Sequence, residues 1–185
     1  MAKPSAQQIR ELLLCDAATG RLVWRARTAS MFLGEGAQWR CDRWNKRFAG
    51  REAGHLNKSG TLKGYRTVRI FDHAYLEHHV VWLIVHGEWP ASIDHRLGKE
   101  AGNGIANLRI ASQMQNAQNS RKRSDNKSGF KGVSWDPINE KWVVRIRHPN
   151  GGKYENLGRF DNSEIGHQAY CQRAIELYGE FARFE

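Results

Sequence analysis

An aspartate and a histidine stand side by side at Asp94-His95, and two asparagines follow at Asn107 and Asn116. Carboxylate and amide oxygens are donors of the kind that hard divalent cations take. Histidine, with an unperturbed pKa near ~6.5, is the side chain best matched to take a proton from water at neutral pH. Such a set could support metal-assisted attack of water on a charged ester. A lone Asp-His pair is usually a surface accident, so its weight depends on the elements around it. The three cysteines, Cys15, Cys41 and Cys171, are widely spaced with no C-x-x-C. That pattern indicates free thiols in a reducing compartment rather than a disulfide framework or a cysteine-based zinc site.

The elements that must position these residues can be read from periodicity and punctuation. Ile93-Asp-His95 is a short strand start, a Gly-rich loop follows, and Leu108-Arg-Ile-Ala111 is a second strand. Ser112-Gln-Met-Gln115 has the form of a capping box, which opens a helix at Ser112. Strand, loop, strand and helix make a compact ββα unit. Upstream, Ser5 caps a helix over Ala6–Leu14, and Asp16 to Gly20 is a turn leading to a strand at Arg21–Arg25. Gly64–Ile70 alternates as a strand, and Leu76, Val80, Leu83 and Ile84 recur at helical spacing, giving a helix over about 75–85. From Ala26 to Gly50 periodicity is poor, and the stretch reads as an insertion or extended loop. Residues 119–127 are polar and basic and read as a linker. Beyond them come three strands, at 130–135, 141–147 and 153–160, and a helix from Ser163 to Tyr178 that ends at Gly179. The fold class is α+β throughout.

Charge narrows the partners. The 185 residues carry a formal net charge of +10, and 40% of them are hydrophobic, enough for a packed core. A field of that sign concentrates polyanions, of which nucleic acid is the commonest inside cells. Residues 21–51 hold eight Arg and Lys against Glu35 and Asp42. No apolar run reaches the ~20 residues of a membrane span and no signal-peptide pattern is present. The expectation is a cytoplasmic protein of a bacterial or phage-infected cell, with DNA as partner, no membrane and no small-molecule cofactor.

The segment Ile93 to Asn116 resembles the HNH homing-endonuclease family of phages, whose core reads roughly D-H-x-x-G…N-x-I-x-N-L-R…N. Asp94, His95, Gly98, Asn103, Ile105, Asn107, Leu108, Arg109 and Asn116 sit at its spacing. His78-His-Val-Val-Trp-Leu83 is similar to the family's H-R-L-x-W-L helix, and Asp16 to Trp24 and Gly64-Tyr65 to its N-terminal portion. The resemblance implies hydrolysis of a DNA phosphodiester, leaving 5′-phosphate and 3′-hydroxyl ends. It implies His95 as general base, Asp94 and Asn116 as ligands of one divalent ion (Mg2+ first, Mn2+ as the alternative), and Asn107 as pin of the loop and of His95. His78 is a further active-site candidate, while His55, His73, His86, His148 and His167 read as structural or surface residues. Neighbours on a strand face opposite sides, so His95 need not ligate the metal that Asp94 holds. The chain departs from the family at Leu97, Ala101, Gly102 and Gly104, positions that shape the loop and bear on efficiency rather than reaction type.

Gly129–Trp135, Lys141–Arg147, Leu157–Phe160 and Ala169-Tyr170 resemble the Apetala-type (ethylene-response-factor) domain. That family implies a three-stranded sheet with one helix behind and an open face in the DNA major groove. Lys131, Trp135, Arg145, Arg147 and Arg159 are the expected contacts. Ser134 and Asp136 stand where plant members carry arginines, so base preference does not transfer. The resulting organisation is an HNH domain over 1–118 with its ββα core at about 76–119, a basic linker over 119–127 and a DNA-binding domain over 128–185. Two alternatives stay open: a non-catalytic DNA-binding regulator on a decayed nuclease fold, and a nuclease acting on RNA or structured DNA. A single site cuts one strand per engagement, so double-strand cleavage calls for a homodimer or sequential nicks.

Overall fold

Ser5 starts the first helix as its residue type predicts. In the computed structural model, which describes residues 3–185, Ser5 Oγ accepts from Gln8 N–H at 3.2 Å and Gln8 Oε1 from Ser5 N–H at 2.8 Å. This capping box opens α1 (Ala6–Leu12), whose inner face is Ala6, Ile9 and Leu12. The antiparallel hairpin of β1 (Leu13–Asp16) and β2 (Arg21–Trp24) follows directly. After α2 (Ala37–Phe48) come β3 (His55–Leu56), β4 (Arg66–Ile70) and β5 (His73–Leu76), an antiparallel sheet with β4 in the centre. Then come α3 (Glu77–His86), which ends at Gly87 in left-handed geometry, and the antiparallel pair β6 (Ile93–His95) and β7 (Leu108–Ile110).

These elements form one compact unit running to Ile110, and a second runs from Ala111 to Glu185. The first unit's core joins Ile9 and Leu13 to Leu22, Val68, Ile70, Val80, Val81, Leu83, Ile93 and Leu108. Truncating any of these to alanine should cost about 2–5 kcal/mol, because cores relax only partly around a cavity. The second unit opens with α4 (Gln113–Gln118), whose Ser112–Gln115 capping box forms as the sequence predicts. Its sheet has the antiparallel order β10-β9-β8, from β8 (Val133–Asp136), β9 (Lys141–Arg147) and β10 (Tyr154–Phe160). The helix α5 (Ser163–Tyr178) is capped by Asn162, which accepts from Glu164 and Ile165 N–H, and it stops at Gly179. Val133, Val144 and Ile146 pack with Tyr170, Ala174 and Tyr178. Both units mix helices with small sheets, so the chain is α+β.

The 26–50 segment corrects the reading of a loop. Residues 37–48 are helical, and the reason lies in an unusual inner face. The Arg27 guanidinium stacks 3.8 Å from the centre of the Trp44 ring, with Trp24 and Phe32 at 5.7 and 5.9 Å. Asn45 Oδ1 accepts from Arg27 N–H and its Nδ2 donates to Arg27 C=O, both at 2.8 Å. A cation fills the place an aliphatic side chain would take, so the apolar stripe is short, Cys41, Trp44 and Phe48 with Asn45 among them, and is easily overlooked.

Candidate active site

The hairpin of β6 and β7 sets the chemistry. Antiparallel pairing places Asp94 opposite Arg109 and His95 opposite Leu108. Directly paired side chains share a face while neighbours alternate. Asp94 therefore faces Arg109 and His95 faces the other way, although all three residues of β6 are buried. Arg109 Nε donates to Asp94 Oδ2 at 2.8 Å, and Nη2 lies 2.7 Å from the same oxygen as an ion-pair contact. The two side chains are 5% and 7% exposed, so this is a buried ion pair.

On the other face, His95 meets α3. Its ring centre lies 4.8 Å from that of His78, edge to face, and 6.2 Å from that of Tyr65. His95 Nε2 is 3.0 Å from Asn103 Oδ1. An amide oxygen only accepts, so this bond makes Nε2 the protonated nitrogen and leaves the imidazole lone pair on Nδ1. His78 is itself buried, and its Nδ1 has no hydrogen-bond partner among the described residues. Burial, with His95 and His79 adding to it, pushes the His78 pKa down to about 3, so it is neutral at physiological pH.

The loop between the strands is tied at both ends. Asn107 Oδ1 accepts from Leu97 N–H at 2.8 Å, and its Nδ2 donates to Gly98 and Gly102 carbonyls at 3.1 and 2.8 Å. Asn107 thus pins the loop, while the side chain on the His95 ring is Asn103. The Asp16–Gly20 turn braces the same loop from outside, with Ile105 N–H donating to Ala17 C=O at 2.9 Å. Asp16 stabilises the turn through Thr19 Oγ1 at 2.7 Å and Ala18 N–H at 3.0 Å. A Cβ on Gly20 would sit 2.3 Å from the Asn103 backbone, and one on Gly104 2.2 Å from Ala18 O. These two glycines let turn and loop approach closely enough to hold Asn103 against His95.

Among the described residues, no group of three or more His, Cys, Asp and Glu side chains is disposed to hold a metal ion. Asp94 offers one hard oxygen donor. Asn116, the other expected ligand, lies half-buried on α4 in the second unit, whereas β6 and β7 belong to the first. The cysteines are free thiols, as expected, and Cys41 Sγ donates to Arg27 C=O.

The second unit's sheet sorts the expected DNA contacts by register. Ser134 pairs with Val143, Asn156 with Arg145 and Tyr154 with Arg147, while Arg159 pairs with Val143. Arg145, Arg147 and Arg159 thus share the face away from Val144 and Ile146, and all three are exposed. Arg159 also sits 3.5 Å from the Asp136 carboxylate. Trp135 pairs with Trp142 and packs edge to face on it at 5.0 Å. It therefore falls on the opposite face from the arginines. The Lys131 ammonium turns inward, donating to Gln118 and Ser120 carbonyls at 2.8 and 2.6 Å. Burial and the nearby Arg183 hold the Lys131 pKa down to about 8.

Comparison with known proteins adds the lineage. No family model matches the chain. It is 33% identical over 121 residues to protein 3.8 of Escherichia phage T7, covering 64% of this chain and 98% of that protein. The chain belongs to the family of that phage protein. It is also 32% identical over 130 residues to a protein of Acanthamoeba polyphaga mimivirus named uncharacterized HNH endonuclease L560, covering 69% of this chain and 64% of that one. No solved structure matches. Among the described residues no helix is long and apolar enough to cross a membrane.

Within this family member, sequence reasoning missed two partners. Arg109 on Asp94 becomes visible once β6 and β7 are paired, because the two residues are then directly opposite. Asn103 on His95 had only its place in the N-x-I-x-N-L-R pattern as a signal, with no role attached.

Proposed function

We propose that this chain is a metal-dependent HNH endonuclease that hydrolyses DNA phosphodiester bonds. The observation that carries the reading is the buried His95, held through Nε2 by Asn103 with its lone pair on Nδ1. That is how a general base is kept in one tautomer and one orientation. The name of the mimivirus relative agrees with it.

In this reading His95 takes a proton from the attacking water at Nδ1. Asn103 accepts from the opposite nitrogen and stabilises the imidazolium that forms. Asn107 fixes the loop carrying Asn103 and so acts through it. Asp94 would hold a hard divalent ion, Mg2+ or Mn2+, which prefers oxygen donors and keeps several waters. Bound there, the ion would neutralise charge on the phosphorane and stabilise the departing 3′-oxygen. At rest, the Arg109 guanidinium balances the Asp94 charge.

The C-terminal sheet is the DNA-binding module in this proposal, with the chain organised as nuclease over 1–118, linker over 119–127 and Apetala-type domain over 128–185. Arg145, Arg147 and Arg159 form its DNA face. The setting is the cytoplasm of an infected cell, and a homodimer or sequential nicks would deliver double-strand breaks. One observation favours a second reading, a non-catalytic regulator: Asp94 already carries a cation, from Arg109.

Supercoiled plasmid and RNA, each incubated with and without Mg2+, separate these readings. Nicking of plasmid only with Mg2+, reduced about 10²–10⁴-fold in His95→Ala while DNA binding persists, is the expected result. Wild-type turnover in His95→Ala would refute the base assignment. Binding without cleavage in any divalent metal would favour the regulator, and cleavage of RNA alone a ribonuclease.

A further inference from the structure

The helix α2 has a second face that the chemistry above does not use. At 3.6 residues per turn, Trp39, Arg43, Lys46 and Arg47 fall within an arc of about 100°. Cys41, Trp44, Asn45 and Phe48 lie on the opposite side, where Arg27 packs. The outer residues are exposed, Trp39 at 62%. Arg43 stacks over Trp39 at 5.2 Å, and Arg47 over Phe48 at 5.0 Å. Among the described residues no carboxylate forms an ion pair with Arg43, Lys46 or Arg47. The flanking Asp42 accepts instead from Gln38 Nε2 at 2.8 Å. Arg40 is already committed to the carbonyls of Leu33, Gly34 and Glu35.

Three exposed cations without acidic partners and a large exposed indole lie along one rigid face, and a cluster of like charge of this kind concentrates an anionic polymer at the surface. The inner face is fixed by the Arg27 stack and the Asn45 clamp, so the outer residues are presented by a rigid element. Over eight residues the face extends about 12 Å. Double-stranded DNA carries one phosphate per ~1.7 Å of axis, so such a face can reach more than one phosphate. An exposed indole beside a guanidinium suits the apolar flank of a deoxyribose.

We propose that the outer face of α2 docks on the phosphate backbone of duplex DNA, through Arg43, Lys46 and Arg47 with Trp39 against the sugar. This is a contact surface on the first unit itself, separate from the arginine face of the C-terminal sheet. It rests on the reading of the chain as a DNA-acting protein, and the test separates the two. Binding of a fluorescent duplex, and of its single strand, is measured by anisotropy across a salt series in EDTA. The samples are the full chain, Arg43→Gln/Lys46→Gln/Arg47→Gln, Arg43→Lys/Arg47→Lys and Trp39→Ala.

Each lost phosphate contact flattens the log–log salt dependence by about 0.9. The triple Gln variant should therefore lose up to about 2.7 of the slope and at least about 10-fold of duplex affinity at low salt. The lysine variant should retain the slope, and Trp39→Ala should weaken binding with the slope unchanged. All four positions are on a solvated face, so melting curves should match the parent and exclude a folding cause. Wild-type binding with an unchanged triple variant would overturn this surface and leave the nuclease reading standing. A loss seen with the single strand alone would overturn the duplex assignment. No binding of any DNA by the parent chain would overturn both.

Discussion

Replacing Arg109 by leucine tests the central pairing of the site. Arg109 and Asp94 are opposite each other on β7 and β6, nearly inaccessible, with Nε donating to one carboxylate oxygen and Nη2 in ion-pair contact with it. An exposed pair would contribute no more than about 1 kcal/mol. A buried one behaves differently, because removing one partner leaves the other charge in a poorly solvating place, at a cost of about 3–5 kcal/mol. For a unit of roughly this size each kcal/mol moves Tm by about 4 °C, so Arg109→Leu should melt some 12–20 °C lower. Removing both charges, in Asp94→Leu/Arg109→Leu, should recover part of that loss, since no unbalanced carboxylate remains. If Asp94 holds a divalent ion, millimolar Mg2+ should raise the Tm of Arg109→Leu more than that of wild type, the metal supplying the missing charge. Differential scanning calorimetry with and without Mg2+ reads all of this. A single variant within ~1 kcal/mol of wild type would refute the reasoning, because the pair would then be behaving as a solvated one.

Three further outcomes follow. His78 has a folded pKa near 3 against 6.5 unfolded, so the unfolded state binds the extra proton between these values. Stability is full above pH 6.5 and falls as pH drops toward 3, by roughly 5 kcal/mol in all. His78→Phe should flatten that acid limb in urea melts from pH 7 to 4, and an unchanged limb would show that His78 is solvated in solution. On the C-terminal sheet, Arg145→Ala/Arg147→Ala should flatten the salt dependence of DNA binding by nearly two if both touch phosphates. Lys131→Met should instead leave that slope alone and lower stability, because its ammonium is spent on Gln118 and Ser120 carbonyls. A slope lost in Lys131→Met and kept in the arginine variant would reverse the assignment.

Local signals in the sequence settled much of this chain. Both capping boxes, Ser5–Gln8 and Ser112–Gln115, bond residues three apart, and such contacts are written in the residue types alone. The same holds for α5 between Asn162 and Gly179, and for β9, whose alternation is plain in Lys141–Arg147. The adjacency of Asp94 and His95 already implied opposite faces. The helix α2 was illegible because its inner face is completed by Arg27, ten or more residues upstream, which no hydrophobic pattern counts. The strands β3 and β5 were missed because two to four residues carry too little alternation to stand out.

Pairing across the chain required the tertiary structure. Whether Trp135 shares a face with Arg145 depends on the register of β8 against β9, and a slip of one residue would reverse the answer. Lys131 reads as a surface cation until the carbonyls at Gln118 and Ser120 are brought to it. Asn103 reaches His95 because Asn107 closes the loop and Gly20 and Gly104 admit the turn beside it. Arg109 reaches Asp94 because β6 and β7 pair in one register. Residue types fix what a side chain can do, whereas its partner is fixed by backbone register and loop closure, and those are properties of the folded chain as a whole.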